Sequence, residues 1–183
     1  MGLVLADLDE RTRTLMESEV ERDAATGRLY LSGRLSPSGQ HRYPDLLRST
    51  IHSGDAESLG AALRKPGLMN AREISHSKTG TPYEKAVPAN ATETLAEGEF
   101  NRFYLRGLCL RAIEDGIPSL EIYRAKAVLD PRPDSIARIG QRVDPKYLLD
   151  DLRVNPGVDT ALGLPPGPNS GLSARIPGAS NAT

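Results

Sequence analysis

Apolar residues recur at helical spacing near the start of the chain, at Leu8, Leu15, Met16 and Val20, with Thr12 in the same series. Asp7 or Asp9 can cap this helix, and Gly27 stands where it would end in left-handed backbone. Glu10, Arg13, Glu17 and Glu21 fill the opposite side, so the helix is amphipathic and lies on other structure. Residues 28–32 read as a short strand or extended link, and Ser36-Pro37-Ser38-Gly39 reads as a turn. A second helix is expected from Asp45 to about His52, with Leu46, Leu47 and Ile51 inward and Gly54 at its end. Asp55 can cap a third, short helix through Leu59, Ala62 and Leu63, which Pro66-Gly67 stops.

From residue 68 to 88 the pattern loses its period and turns polar and basic, which predicts a long loop or β-ribbon. The strongest element follows. Asn90-Ala91-Thr92-Glu93 resembles a capping box with Asn in the Ser/Thr position. The helix it opens runs to about Asp115 and ends at Gly116. Phe100, Phe103, Tyr104, Gly107, Leu108 and Ala112 share one broad face, widened by Leu105 and Cys109, as in a helix buried on most sides. A mid-helix glycine costs ~1 kcal/mol against alanine, so Gly107 implies a second backbone in close approach.

Residues 119–129 alternate as a strand does, with Leu120, Ile122, Arg124, Lys126 and Val128 on one face. Asp144-Pro145 then opens another helix, with cap and first-position proline in order, using Tyr147, Leu148, Leu149 and Leu152. After Arg153 the chain becomes rich in proline and glycine and nearly uncharged, yet keeps Val158, Leu162, Leu164, Leu172 and Ile176. Two readings fit: an extended arm without helix or strand, laid on a partner or on its own domain, and a plain disordered terminus. The fold class expected is α+β. It comprises one mainly helical small domain over residues 1–153 with a small sheet, then an extended Pro/Gly-rich C-terminal arm over 154–183.

Composition narrows the function classes. The 183 residues are 38% hydrophobic and 4% aromatic, below the usual globular content, so the core is modest. The net charge of −1 gives no global signature for nucleic acid or membrane. Its signs are nonetheless segregated, with acids in excess over residues 7–23 and bases over 64–85. One cysteine, Cys109, excludes an internal disulfide and a cysteine-based zinc site and fits a reducing, cytoplasmic compartment. The apolar run at the start stops at Asp7 and lacks a basic leader, so neither a signal peptide nor a membrane span is expected.

Candidate chemistry is sparse. Glu99, Arg102 and Arg106 share one stripe of the central helix; if it is buried, these charges pair or reach a partner, and if not, it is an ordinary solvated face. Arg124 and Lys126 among apolar neighbours mark a binding face or a charge-protected strand edge. These five residues are the candidate binding set. Glu121 and Lys126 have the wrong spacing and face for a nuclease that sets an acid and a lysine two apart on one strand. Ser75-His76-Ser77-Lys78 and Lys78-Thr79-Gly80 fit penicillin-recognising motifs only by sharing one lysine, which those enzymes do not do. His41, His52 and His76 have no ligand spacing, and no nucleotide fingerprint occurs. No cofactor, metal or catalytic residue is expected.

The phrases Thr92-Glu93-Thr94-Leu95-Ala96-Glu97-Gly98-Glu99-Phe100-Asn101-Arg102-Phe103-Tyr104-Leu105-Arg106-Gly107-Leu108-Cys109 and Leu164-Pro165-Pro166-Gly167-Pro168-Asn169-Ser170-Gly171-Leu172 resemble phrases of uncharacterised proteins from tailed phages and prophages. The resemblance implies virion or mobile-element biology and attaches no activity. The expectation is therefore a non-enzymatic structural or assembly protein. It self-associates or meets virion neighbours through the arm and the 68–88 region, in the cytoplasm or the virion. The alternative is a nucleic-acid binder using residues 64–85 with Arg102, Arg106, Arg124 and Lys126, and a metal-dependent nuclease ranks third.

Overall fold

A computed structural model describes residues 2–156 and 171–178. Helix α1 (Glu10–Ala25) starts where the Asp9 carboxylate accepts from the Thr12 backbone N–H, and it buries Thr12, Met16, Glu19, Val20 and Asp23. Helix α2 (Pro37–Ser53) begins earlier than its pattern predicts. Ser36 caps it by accepting from the Gly39 N–H, and Pro37 occupies the first turn, so the expected turn is a helix start. Pro44 lies inside the helix rather than before it. Gly39 serves close approach, not positive φ: a β-carbon there would stand 1.9 Å from the Leu68 carbonyl oxygen. Helix α3 (Ala56–Leu63) carries the expected Asp55 cap, completed by Ser58. Residues 28–32 form no strand.

The 68–88 region is a ribbon: β1 (Arg72–His76) and β2 (Pro82–Ala86) pair antiparallel. Helix α4 (Ala91–Glu114) follows and is the axis of the fold, with Phe100, Phe103, Tyr104, Leu108 and Cys109 all buried. Its Asn90 cap position makes no side-chain cap bond, so the capping box is not formed. At Gly107 a β-carbon would meet Met16 Cγ at 2.8 Å and the Thr12 carbonyl oxygen at 2.9 Å, so α1 is the close neighbour that the glycine implied.

The second sheet has the order β4-β3-β5, all antiparallel. Strand β3 (Leu120–Arg124) stops short of the expected end at Leu129. Ala125 and Lys126 turn away and donate their N–H groups to the Gly171 carbonyl. Helix α5 (Pro133–Arg138) and β4 (Arg142–Val143) were not legible beforehand; β4 exists only through its pairing with Leu120 and Glu121. Helix α6 (Pro145–Val154) has the expected Asp144 cap, which accepts from the Lys146 and Tyr147 N–H groups.

The expectation that 154–183 holds no strand is corrected at its far end. Leu172–Arg175 forms β5 against β3, with Leu172, Ser173 and Ala174 buried. Its outer carbonyls are met by α4: Asn101 Nδ2 donates to Leu172 O at 3.0 Å and the Tyr104 hydroxyl to Ala174 O at 3.2 Å. Residues 157–170 and 179–183 of the expected arm lie outside the described residues. The chain is thus α+β and mainly helical, with two small sheets. Among the described residues no helix is long and apolar enough to cross a membrane.

Candidate interaction surface

The charged stripe of α4 points inward. Arg106 is 1% exposed and lies between α1 and the Phe103 ring, with its guanidinium carbon 4.9 Å from the ring centroid. Its Nε donates to Glu19 Oε2 at 2.7 Å, and both terminal nitrogens reach Asp23, at 2.5 and 2.8 Å. Arg153 from α6 holds the other Glu19 oxygen at 2.5 Å. Burial alone would push the Glu19 carboxyl up, but the Arg153 hydrogen bond and the Arg106 charge outweigh it and hold it below its ordinary value. One guanidinium thus ties α4 to α1, and one carboxylate ties α1 to α6. Of the alternatives left open for Arg106, pairing within the chain is the one the structure shows, with Glu19 and Asp23 as the acids.

Glu99 and Arg102 form a second buried group. Arg102 Nε lies 3.3 Å from Glu99 Oε1, and its Nη1 donates to the Asn155 carbonyl at 2.6 Å, closing the end of α6. Burial pushes the Glu99 carboxyl above its ordinary value, against the Arg102 charge. Burial, then the Glu99 charge, pushes the Tyr43 phenol well up. These residues stiffen the α4–α6 contact and offer no open face.

The remaining two candidates lie elsewhere. Arg124 ends β3, half-buried, while Lys126 falls beyond the strand, where its Nζ meets Glu97 of α4 at 2.5 Å. They do not form the one strand face that the alternation predicts. Glu121 pairs with Arg175 at 2.6 Å and Arg142 at 3.4 Å, so it and Lys126 face different partners. Among the described residues no group of three or more His, Cys, Asp or Glu side chains is placed to hold a metal ion.

The ribbon offers an open surface. Its turn is built from Ser77 to Thr81: the Ser77 and Gly80 N–H groups bond across it at 2.9 Å each, and Gly80 takes φ 85°. The root is fastened by Asn70, whose side chain donates to the Gly33 and Leu35 carbonyls at 3.1 Å each. Between root and turn, cross-strand register sets Ile74 opposite Glu84 and Ser75 opposite Tyr83. Ile74 is 66% exposed and Tyr83 49% exposed, while both strands are edges of a two-stranded sheet. Three of the five basic side chains expected to mark this region face carboxylates: Arg64 meets Glu93 at 2.5 Å, Arg72 meets Glu84 at 2.6 Å and Lys85 meets Glu73 at 3.3 Å.

Sequence reasoning missed Glu19 and Asp23, the partners of the buried arginine. Their signal was spacing: Thr12, Met16, Glu19, Val20 and Asp23 lie on one helical stripe, so two acids sit among core positions. Compared with known proteins, the chain matches no family model, no curated protein and no solved structure.

Proposed function

We propose that the chain is a structural or assembly protein that docks a neighbouring protein subunit on its β1–β2 ribbon, without catalysis. The observation that carries this reading is a ribbon with an exposed Ile74 and Tyr83 whose two outer strand edges pair with no other strand among the described residues. An isolated two-stranded ribbon is marginal in water, and an extended segment added to its edge would satisfy its backbone groups. The part of the expected arm outside the described residues, 157–170 and 179–183, is a second docking element in this proposal, and the resemblance to phage proteins favours virion neighbours or further copies of this chain as the partner.

The nucleic-acid reading has one point in its favour, since a two-stranded ribbon has the shape that enters a major groove. Against it, Arg64, Arg72, Lys85, Arg106 and Lys126 all face carboxylates of the chain itself. Native mass measurement and a gel shift over a salt series separate the two. Assembly reduced by Ile74→Ser with Tyr83→Ser supports the docking reading. Steeply salt-dependent retardation of DNA, with a monomeric native mass, overturns it.

A further inference from the structure

The two edges of the ribbon are not alike. Across it, the Ser77 N–H bonds to the Thr81 carbonyl and the Val87 N–H to the Ala71 carbonyl, with Ile74 opposite Glu84 between them. Antiparallel pairs alternate between bonded and non-bonded positions, so the odd-numbered residues of β1 direct their backbone groups at β2. The N–H and C=O groups of Arg72, Ile74 and His76 therefore point outward from β1, and those of Glu84 and Ala86 point outward from β2. Pro82 takes an outward position on β2 and has no N–H to offer. The outer edge of β2 is thus blunted by a proline, while that of β1 keeps a donor at every outward position.

The open length of the β1 edge is fixed at both ends. At the root, the Asn70 N–H on this same side is already bonded to the Arg34 carbonyl at 2.9 Å. At the tip, the chain turns after Ser77. An antiparallel strand that fills the window Arg72–His76 meets 5 residues, and a second copy of β1 does so in one register. That register sets Ile74 on the two-fold axis, Glu73 opposite the partner's Ser75 and Arg72 opposite the partner's His76. No two carboxylates and no two Lys or Arg side chains then stand opposite each other. An axis at Glu73 would oppose two carboxylates, and would press His76 against the occupied Asn70 position. An axis at Ser75 would oppose Arg72 and Lys78. On β2, an axis at Glu84 or Lys85 opposes like charges, and one at Tyr83 puts Pro82 where a donor is needed.

We propose that two copies of the chain join antiparallel through the outer edges of β1, Ile74 against Ile74 at the two-fold axis. The proposal rests on the docking reading of the ribbon and names the partner as a second copy. Arg72, Ile74 and His76 exchange both backbone bonds with the residues opposite, and each exposed Ile74 covers the other. The Ser75 hydroxyl meets the partner's Glu73 at a non-bonded position, where side chains approach most closely. The two-stranded ribbon becomes a four-stranded sheet, past the size at which such ribbons are marginal. Both β1 edges are consumed and the β2 edges are blunted, so the pairing closes at a dimer.

The test is sedimentation of the full chain over a range of concentrations, beside three variants. The parent should pass from monomer to dimer. Ile74→Pro removes the outward N–H at the axis and leaves the bonds to β2 in place. It should weaken dimerisation roughly a hundredfold, since two backbone bonds and an apolar contact are lost. Glu84→Pro makes the same change on the outer edge of β2 and should dimerise like the parent. Ile74→Cys should give a disulfide-linked dimer with oxidised glutathione as oxidant, because the other cysteine, Cys109, is buried. This variant keeps the test decisive if the proline variant misfolds. A parent that stays monomeric overturns the inference, and the docking reading falls with it only if DNA is also retarded with steep salt dependence. Loss of the dimer in Glu84→Pro, an Ile74→Pro dimer as tight as the parent's, or an Ile74→Cys chain that stays unlinked each overturns the assignment to β1.

Discussion

Helix α4 and the β1–β2 ribbon adjoin in sequence and manage charge in opposite ways. On α4, Glu99, Arg102 and Arg106 are buried, and their hydrogen bonds reach α1 and α6. On the ribbon, Arg72, Glu84, Glu73 and Lys85 pair across the two strands at the surface, among an exposed Ile74 and Tyr83. Buried pairs are costly to break, because a removed partner leaves a charge stranded away from water. Exposed pairs contribute little and can be exchanged for contacts with another molecule. The same residue types therefore hold the fold in one region and remain open to a partner in the other.

The comparison breaks first, and hardest, at Arg106. Arg106→Gln strands Asp23 and half of Glu19, and about 3–5 kcal/mol of stability should be lost in denaturant unfolding. A loss of under about 1 kcal/mol, the range of surface pairs, would place this network on the same footing as the ribbon pairs. Gly107→Ala comes next. Its helix propensity gains ~1 kcal/mol, but the new β-carbon would press into Thr12 O and Met16 Cγ. A net loss of roughly 1–3 kcal/mol is expected, read as a lower melting temperature. Stabilisation would mean that α1 and α4 can separate freely.

A smaller effect sharpens the comparison through pH. The folded Glu99 carboxyl titrates above its unfolded value, so the folded state binds its proton more tightly. Its contribution is full at acid pH and is lost as pH rises through the folded value. Glu99→Gln should therefore gain stability on the parent between acid and neutral pH, and thermal melts over that range would show the gap widen upward. Glu19 runs the other way: its lowered value contributes stability that is lost as pH falls through it. The smallest effect on stability belongs to the ribbon. Ile74→Ser with Tyr83→Ser should move unfolding by no more than about 0.5 kcal/mol per site while reducing assembly. Unfolding of this double variant would show that the ribbon is part of the core.

The local pattern revealed what local physics decides. The Asp55 and Asp144 caps, the span of α4 and the close approach at Gly107 were readable because each depends on neighbouring residues or on one strict steric demand. The expected start of the second helix at Asp45 was late, since α2 already starts after a capping Ser36 and continues through Pro44. Strands β4 and β5 were hidden because Val143 and Leu172 become strand residues only when β3 lies beside them. The same limit applied to the candidate site. That Arg102 and Arg106 would need partners if their stripe were buried was legible, but that it is buried, with Glu19, Asp23 and the Asn155 carbonyl as the partners, depended on how three helices meet.

The Asp7 carboxylate accepts the Ile176 N–H at 2.9 Å, joining positions 169 apart in the chain. Timing during synthesis follows from this one bond. Helices α1 to α4 can collapse while the ribosome is still at work, because their contacts need only the first 114 residues. The slot between β3, Asn101 and Tyr104 stays vacant until Leu172–Arg175 has been made and has left the exit tunnel. Closure then resembles the fastening of a clasp: a late, long-range step whose entropic cost grows only slowly with the length of chain it spans. Until it happens, β3 presents an unpaired edge, so the nascent chain is most open to pairing with a neighbour in the interval between making β3 and making β5.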